Sequence, residues 1–274
     1  MAETLLSAEA IEVAYGPRGG VRVLHGVDLT IAPGETLGIV GESGSGKTTL
    51  GRALLRLVDT TAGVIRFDGR DITRLTDAEM RPLRRRMQMI FQDPMSSLNP
   101  RHSVRQILTG PLLLHGLASG RADADRQAAD IIERVGLPPA ALDRNPHELS
   151  GGQRQRVGVA RAVVLKPDFV LADEIVSGLD VSTQAQVLKL VAELTREMGL
   201  AMAFISHDLS VIRAVCDRVM VLQGGKVVDE GPCDHVFHRP GSAYTRTLLD
   251  AIPLPEITPG WLDGTASTAG AVPE

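Results

Sequence analysis

The feature that most constrains this 274-residue chain is the stretch Gly41-Glu42-Ser43-Gly44-Ser45-Gly46-Lys47-Thr48. It fits the pattern G-x-x-x-x-G-K-[ST] in full. The preceding Thr36-Leu37-Gly38-Ile39-Val40 is a short apolar run suited to a buried strand, and a helix is expected from Lys47 to about Leu57. Strand, glycine loop and helix together make an anion cradle. The glycines let the backbone curl until successive N–H groups converge on phosphate oxygens, and the helix points its positive N-terminus at them. Lys47 is expected to reach the β- and γ-phosphates, and the Thr48 hydroxyl to ligate Mg2+. A chain built around this loop is expected to bind a nucleoside triphosphate.

A second half of such a site follows downstream. Phe169-Val170-Leu171-Ala172-Asp173-Glu174 is four apolar residues running into two acids. A buried strand ending in Asp173 can hold Mg2+ from the side opposite the phosphate loop. Glu174, one residue further on, is placed to polarise a water for attack on the γ-phosphate. His207 lies just past another buried run, Met202-Ala203-Phe204-Ile205. Leu149-Ser150-Gly151-Gly152-Gln153 opens a further helix, where Ser150 and the glycine amides form a second anion-binding terminus. One nucleotide needs one phosphate loop, so the second must serve something else.

Around these motifs the pattern is α/β with a helical insertion. Short runs read as strands at Ile11–Tyr15, Val21–Leu24, Val27–Ile31, Gly63–Phe67 and Met87–Phe91. From about Asp93 to Ala160 the character is helical, with Val104–Leu114 apolar-rich and Ala128, Ile131, Ile132 and Val135 at helical spacing. Val187, Val191, Leu194 and Met198 mark one face of a later helix, and Arg218–Leu222 and Lys226–Val228 flank a hairpin turn. The end, from Ala251 on, is rich in Pro, Gly, Ala and Thr and is expected to be mobile, with Trp261 unassigned.

Composition narrows the function classes. Aromatic residues make up only 3% of the chain and the net charge is −4, which argues against a base-stacking platform or a basic nucleic-acid surface. Arg81, Arg84, Arg85 and Arg86 form a basic run, read as a solvated helix face. Cys216 and Cys233 are too few for a disulfide framework, and Cys216 sits at an apolar helical position expected in the core. No run approaches the roughly 18 apolar residues of a membrane span, and Glu3 stands where a secretory leader would carry base. A soluble, cytoplasmic protein is expected, with any membrane role coming through a partner.

With the second helix terminus in place, the sequence resembles an ATP-binding cassette (ABC) ATPase over about residues 7 to 250. Leu149–Gln153 matches the family's signature motif, and the other motifs follow in register. The resemblance implies an α/β P-loop NTPase core with an N-terminal antiparallel β subdomain and a helical signature subdomain. It also implies roles. Tyr15 resembles the aromatic that stacks on adenine, and Gly41 to Thr49 the Walker A segment that binds ATP. Gln92, in Phe91-Gln92-Asp93-Pro94, resembles the glutamine that senses Mg2+ and the attacking water. Asp173 and Glu174 match Walker B and the catalytic base, Ser177-Gly178-Leu179-Asp180 the D-loop, and His207 the switch histidine on the γ-phosphate. Ser150, Gly151, Gly152 and Gln153 would clamp ATP held by a second cassette, identical or related, in a head-to-tail dimer.

The stretch Phe91 to Arg101 and the segment Ala243-Tyr244-Thr245-Arg246-Thr247-Leu248-Leu249 resemble the oligopeptide/dipeptide/nickel importer ATPases. That narrower resemblance implies a peripheral subunit on the cytoplasmic face of the membrane, working with two transmembrane permease subunits and, indirectly, an extracytoplasmic substrate-binding protein. It implies four segments: 1–92, the first part of the core with the β subdomain; 93–161, a helical subdomain docking a permease coupling helix; 162–232, the rest of the core; and 233–274, a C-terminal extension, partly disordered. The rival readings are a soluble ribosome- or DNA-associated ABC ATPase, an exporter subunit, and a non-catalytic regulatory cassette. Departures are Ile175-Val176, where Pro-Thr usually follows the glutamate, Gly178 for the usual Ala, and Gly241-Ser242-Ala243 where His-Pro commonly precedes the tyrosine. Neither of the first two removes a phosphate, metal or water ligand, and the third bears on the subfamily resemblance. Two cysteines are too few for an iron–sulfur centre.

Overall fold

A computed structural model describes residues 4–16 and 20–251. Strand β1 (Leu6–Tyr15) pairs antiparallel with β2 (Val21–Ile31) on one side and with β4 (Ala62–Phe67) on the other, and β5 (Arg70–Asp71) completes a four-stranded sheet of order β2-β1-β4-β5. Two expectations are corrected here. Val21–Leu24 and Val27–Ile31 are one strand, because Gly26 (φ 76°) is the extra residue of a bulge between the pairs Ile11–Val27 and Glu12–His25. β1 begins at Leu6 rather than Ile11. A register shift at Ala10 (φ 50°) flips the buried parity from Leu6 and Ala8 to Ile11 and Val13, which hides the first half from an alternation test.

The second sheet carries the site. β3 (Thr36–Val40) lies between β9 (Arg218–Gln223) and β8 (Ala201–Ile205), followed outward by β7 (Phe169–Asp173) and β6 (Met87–Ile90), all parallel; β10 (Lys226–Pro232) closes the other edge antiparallel to β9. β3, β7 and β8 are buried at every position, the continuous apolar runs expected of strands covered on both faces. Two separate cores result. One face packs α1 (Lys47–Leu54), α2 (Asp77–Arg84) and the antiparallel sheet through Leu37, Ile39, Leu50, Phe67, Phe169 and Leu171. The other packs the helical elements through Val170, Ala172, Met202 and Phe204. Each fully buried Leu, Ile or Phe side chain contributes about 1.5–3 kcal/mol.

The helical elements are α3 (Pro94–Ser97), α4 (Val104–Leu114), α5 (Arg121–Arg134) and α6 (Gly151–Val163). Ser103 caps α4 in a reciprocal box with Gln106, and Gly136 (φ 72°) ends the turn after α5. Then come α7 (Val181–Met198), α8 (Leu209–Val215), α9 (Cys233–His238) and α10 (Ala243–Asp250). Among the described residues no helix is long and apolar enough to cross a membrane.

Three further corrections follow. α1 stops at Leu54 rather than near Leu57, because Arg56 takes a left-handed turn (φ 53°). The basic run is only partly a solvated face: Arg81 and Arg85 are exposed, but Arg84 Nη2 donates to Arg56 O at 3.0 Å, and Arg86 bridges Asp68 and Asp168. Cys216 lies one residue past the end of α8, half-buried against the helical core, and burial pushes its thiol pKa well up. Trp261 and nearly all of the segment expected to be mobile lie outside the described residues.

Candidate functional site

Four segments, following β3, β6, β7 and β8, meet at the C-terminal ends of the parallel strands. The loop between β3 and α1 keeps its shape through glycines that no other residue could replace cheaply. Gly41 has φ 149°, and a Cβ there would sit 2.2 Å from Leu222 O. Gly46 (φ 104°) precedes α1 in a left-handed conformation, with room limited by Leu24 and Val23. Lys47 is buried, and its ammonium donates to Gly41 O and Glu42 O, both at 2.8 Å. Burial lowers its pKa, partly offset by the nearby charges of Glu174 and Asp173. Ser45 is buried between Glu42 O, which accepts from its N–H at 3.1 Å, and Gly225 N, which donates to its carbonyl at 3.0 Å. Ser43 and Gly44 are exposed.

Asp173 ends β7 facing the start of α1, and Thr48 Oγ1 donates to Asp173 Oδ1 at 3.1 Å. Burial raises the Asp173 pKa, with the Thr48 hydrogen bond and Arg52 pulling the other way. A buried carboxylate beside a hydroxyl is a hard-oxygen donor set with unspent negative charge, which suits Mg2+ shared with phosphate oxygens. No group of three His, Cys, Asp or Glu that could cage a metal by itself occurs among the described residues. Mg2+ ordinarily takes one or two carboxylates plus substrate phosphates, so the pair fits it.

Glu174 follows immediately, in a left-handed conformation (φ 47°), its N–H donating to Ile205 O at 3.0 Å. A non-glycine residue here carries strain of about 1–3 kcal/mol, tolerated where the surroundings hold it. The turn aims the Glu174 carboxylate at two neighbours. Gln92 Nε2, from the segment after β6, donates to Oε2 at 2.9 Å, and His207 Nδ1, from the segment after β8, lies 3.8 Å from the same oxygen. Side-chain exposure is 20% for Glu174 and 65% for His207, so the acid is sheltered while the imidazole faces outward. At the rim, Tyr15 is exposed and its hydroxyl donates to Thr49 Oγ1 at 3.4 Å.

The structure therefore brings Lys47, Thr48, Gln92, Asp173, Glu174 and His207 together. Ser150–Gln153 and Asp180 form a second group, with no hydrogen bond to the first among the described residues. Ser150 Oγ accepts from Gln153 N at 3.3 Å while Gln153 Oε1 accepts from Ser150 N at 3.0 Å, a closed capping box on α6. Asp180 caps α7, accepting from Thr183 N (3.0 Å) and Thr183 Oγ1 (2.7 Å), and these bonds hold its pKa down. Gly151 packs near Leu179, and a Cβ on Gly152 would meet Thr183 Cγ2 at 2.5 Å, so the two helix starts are fitted to each other.

Three features of the site had no counterpart in the sequence reading. The left-handed turn at Glu174 carries no glycine to announce it. A cavity of about 160 Å3 beside Glu174 and His207 is lined also by Gln184 and Ser206, which no motif singles out. Glu42 N donates to the Tyr244 hydroxyl at 3.0 Å, across 202 residues of sequence.

A family model described as ABC transporter matches residues 24–177. Among curated relatives, a putative peptide import ATP-binding protein of Brucella ovis is 50% identical over 258 residues, 93% of this chain and 81% of the relative. The oligopeptide transport ATP-binding protein OppF of Streptococcus mutans is 46% identical over 241 residues, 88% of this chain and 78% of the relative. Among solved structures, cbiO1 from Clostridium perfringens, described as part of the ABC transporter complex cbiONQ, aligns with a TM-score of 0.77 at 27% identity, covering 86% of this chain and 92% of that one. The ATP-binding cassette MJ0796, solved as a dimer in a post-hydrolysis state with ADP and Pi, aligns at 0.75 and 29% identity, covering 83% and 98%.

Proposed function

The chain belongs to the ABC transporter family, and from that premise we propose that it is the ATP-hydrolysing subunit that energises a membrane importer for peptides or a related small solute. The observation that carries the chemistry is the meeting of Gln92 and His207 on the Glu174 carboxylate, beside Lys47, Thr48 and Asp173. The chain's similarity to peptide import and oligopeptide transport ATP-binding proteins favours importer over exporter or soluble ATPase.

In this reading Tyr15 stacks on adenine, and the amides of residues 41–49 with Lys47 cradle the phosphates of ATP. Thr48 and Asp173 would hold Mg2+, with Gln92 adjacent; the ion, when bound, neutralises charge on the β- and γ-phosphates. Glu174 accepts a proton from the attacking water as the water oxygen bonds to the γ-phosphorus, the bond from that phosphorus to the β–γ bridging oxygen breaks, and ADP departs. Gln92 orients that carboxylate, and His207 contacts the γ-phosphate. Ser150, Gly151, Gly152, Gln153 and Asp180 stand apart from the loop and already ordered, a face suited to ATP held by a second cassette in a head-to-tail dimer. Residues 1–92 and 162–232 form the ATP-binding core, 93–161 the helical subdomain that meets a permease coupling helix, and 233–274 a C-terminal extension. The subunit sits peripherally on the cytoplasmic face of the membrane, with two permease subunits and, indirectly, an extracytoplasmic binding protein as partners; nucleic acid is not among them.

The test is extraction of the chain from its native membranes in mild detergent, followed by identification of what co-purifies. Two polytopic permeases are expected, and a binding protein among them would identify the cargo. Recovery with ribosomal or DNA-repair partners alone would overturn the transport reading and leave the ATPase chemistry standing.

A further inference from the structure

We propose that Tyr244, on the C-terminal helix α10, is a positioning residue for the phosphate loop and so sets the affinity for ATP. The inference rests on the nucleotide-site reading above and adds to it an element outside the nucleotide-binding motifs. Glu42 is the second residue of the loop, and its peptide is held at both ends. Its N–H donates to the Tyr244 hydroxyl at 3.0 Å, while its carbonyl accepts from Lys47 Nζ at 2.8 Å and from Ser45 N at 3.1 Å. The Glu42 N–H shares its peptide plane with Gly41 O, which also accepts from Lys47 Nζ at 2.8 Å, so that plane is fixed from behind by a side chain 202 positions away.

Tyr244 can do this because α10 is itself anchored. Asp229 Oδ2, on β10, accepts from Gly241 N at 2.7 Å and from Ser242 N at 3.2 Å, pinning the approach to the helix. Ser242 Oγ accepts from Thr245 N at 2.9 Å and caps the first turn, where Tyr244 sits. Tyr244, Leu248 and Leu249 pack against the helical core, so the ring is half-buried and its direction set. Burial raises the phenol pKa, so the hydroxyl keeps its proton and retains lone pairs for the Glu42 N–H. The chain of contacts runs from Asp229 through α10 and Tyr244 to Glu42 and Lys47, and each link is a hydrogen bond or a packed side chain.

A group that shapes the loop alike for bound substrate and transition state changes KM and leaves kcat. In the full-length chain, Tyr244→Phe is therefore expected to raise the KM for ATP by about two- to tenfold, the range for one net hydrogen bond. The nucleotide-free Tm should fall by no more than about 2–4 °C, the worth of one net hydrogen bond. Asp229→Ala should move the KM in the same direction, and the double variant should be no worse than the more affected single variant, since both act through one path. Lys47→Ala is measured alongside: if it binds ATP as the parent does, the site reading itself fails. If Lys47→Ala loses ATP while Tyr244→Phe keeps the parent KM, only the present inference fails. It is overturned equally by a fall in kcat at unchanged KM, by additive effects in the double variant, or by a KM change accompanied by a nucleotide-free Tm loss well beyond that of one hydrogen bond, which would mark a general folding role.

Discussion

Replacing the loop glycines one at a time separates backbone strain from crowding. At Gly44 (φ 80°) a Cβ would meet nothing within 4 Å, so Gly44→Ala carries conformational strain alone, about 1–2 kcal/mol. At Gly41 (φ 149°) the same methyl would lie 2.2 Å from Leu222 O, 2.7 Å from Ser45 Oγ and 3.2 Å from Leu222 C. Leu222 is backbone of β9, and Val40, one residue before Gly41, is paired with Val221, so neither strand can yield without breaking the ladder. Gly41→Ala therefore combines strain of about 1–3 kcal/mol with overpacking of a similar size, about 2–6 kcal/mol in all. Gly46→Ala falls between them, because its closest contact is Leu24 Cδ2 at 2.8 Å, the far end of a side chain. For a chain of this size each kcal/mol moves Tm by about 2–4 °C. Thermal unfolding of the nucleotide-free protein should give losses of about 2–8 °C for Gly44→Ala and about 4–24 °C for Gly41→Ala, with Gly46→Ala intermediate. Equal losses at Gly41 and Gly44 would refute the reasoning, since they would show the Leu222 carbonyl moving aside at no cost.

Other outcomes follow from the same geometry. Glu174→Gln should retain ATP and lose about 100- to 10,000-fold in phosphate release, the usual worth of a general base; release at the parent rate would remove the residue from that role. Thermal upshift by MgATP, which scales with RT ln(1 + [L]/Kd), should survive in Glu174→Gln and vanish in Lys47→Ala. Arg84→Ala strips donors from Leu55 O and Arg56 O and should lower stability by about 1–3 kcal/mol, read by urea unfolding. Burial pushes the Cys233 thiol up to about 12, so the folded chain holds that proton where the unfolded chain has released it. The thiol's contribution is present below about pH 9 and lost between there and about pH 12, at roughly 1 kcal/mol per pH unit. Cys233→Ala should flatten the fall in stability over that window, and an unchanged slope would count against the buried thiol.

What could be read from the sequence was local. The loop at residues 41–48, the acids ending β7 and the glycine-rich start of α6 are each a few consecutive residues whose chemistry demands those types. β3, β7 and β8 announced themselves because strands covered on both faces are apolar throughout. The sequence failed where structure depends on partners distant in the chain. The bulges at Ala10 and Gly26 interrupt the alternation that marks a strand, so one strand looked short and another looked double. Arg84 and Arg86 sat in a charge run whose acceptors, Arg56 O, Asp68 and Asp168, lie on other elements. The meeting of Gln92, Glu174 and His207 came only through family resemblance, because strand order, not sequence order, brings three loops together. Tyr244 on Glu42 had no local signal at all.

The sheet between the two cores has a consequence for how this protein can change. Along β7, Phe169 and Leu171 face one core while Val170 and Ala172 face the other; along β8, Ala203 and Ile205 oppose Met202 and Phe204. Residues that share no neighbours contribute to stability almost independently. Substitutions can therefore accumulate in the outer helical packing, around Ala128, Ile132 and Val135, without touching the packing behind the phosphate loop, whereas Val40, Ala172 and Ile175 of the same core adjoin the site. The molecule is evolvable from its outside in: the outer helical packing is free to drift, while the strand ends and helix starts that frame the site are held to the same chemistry.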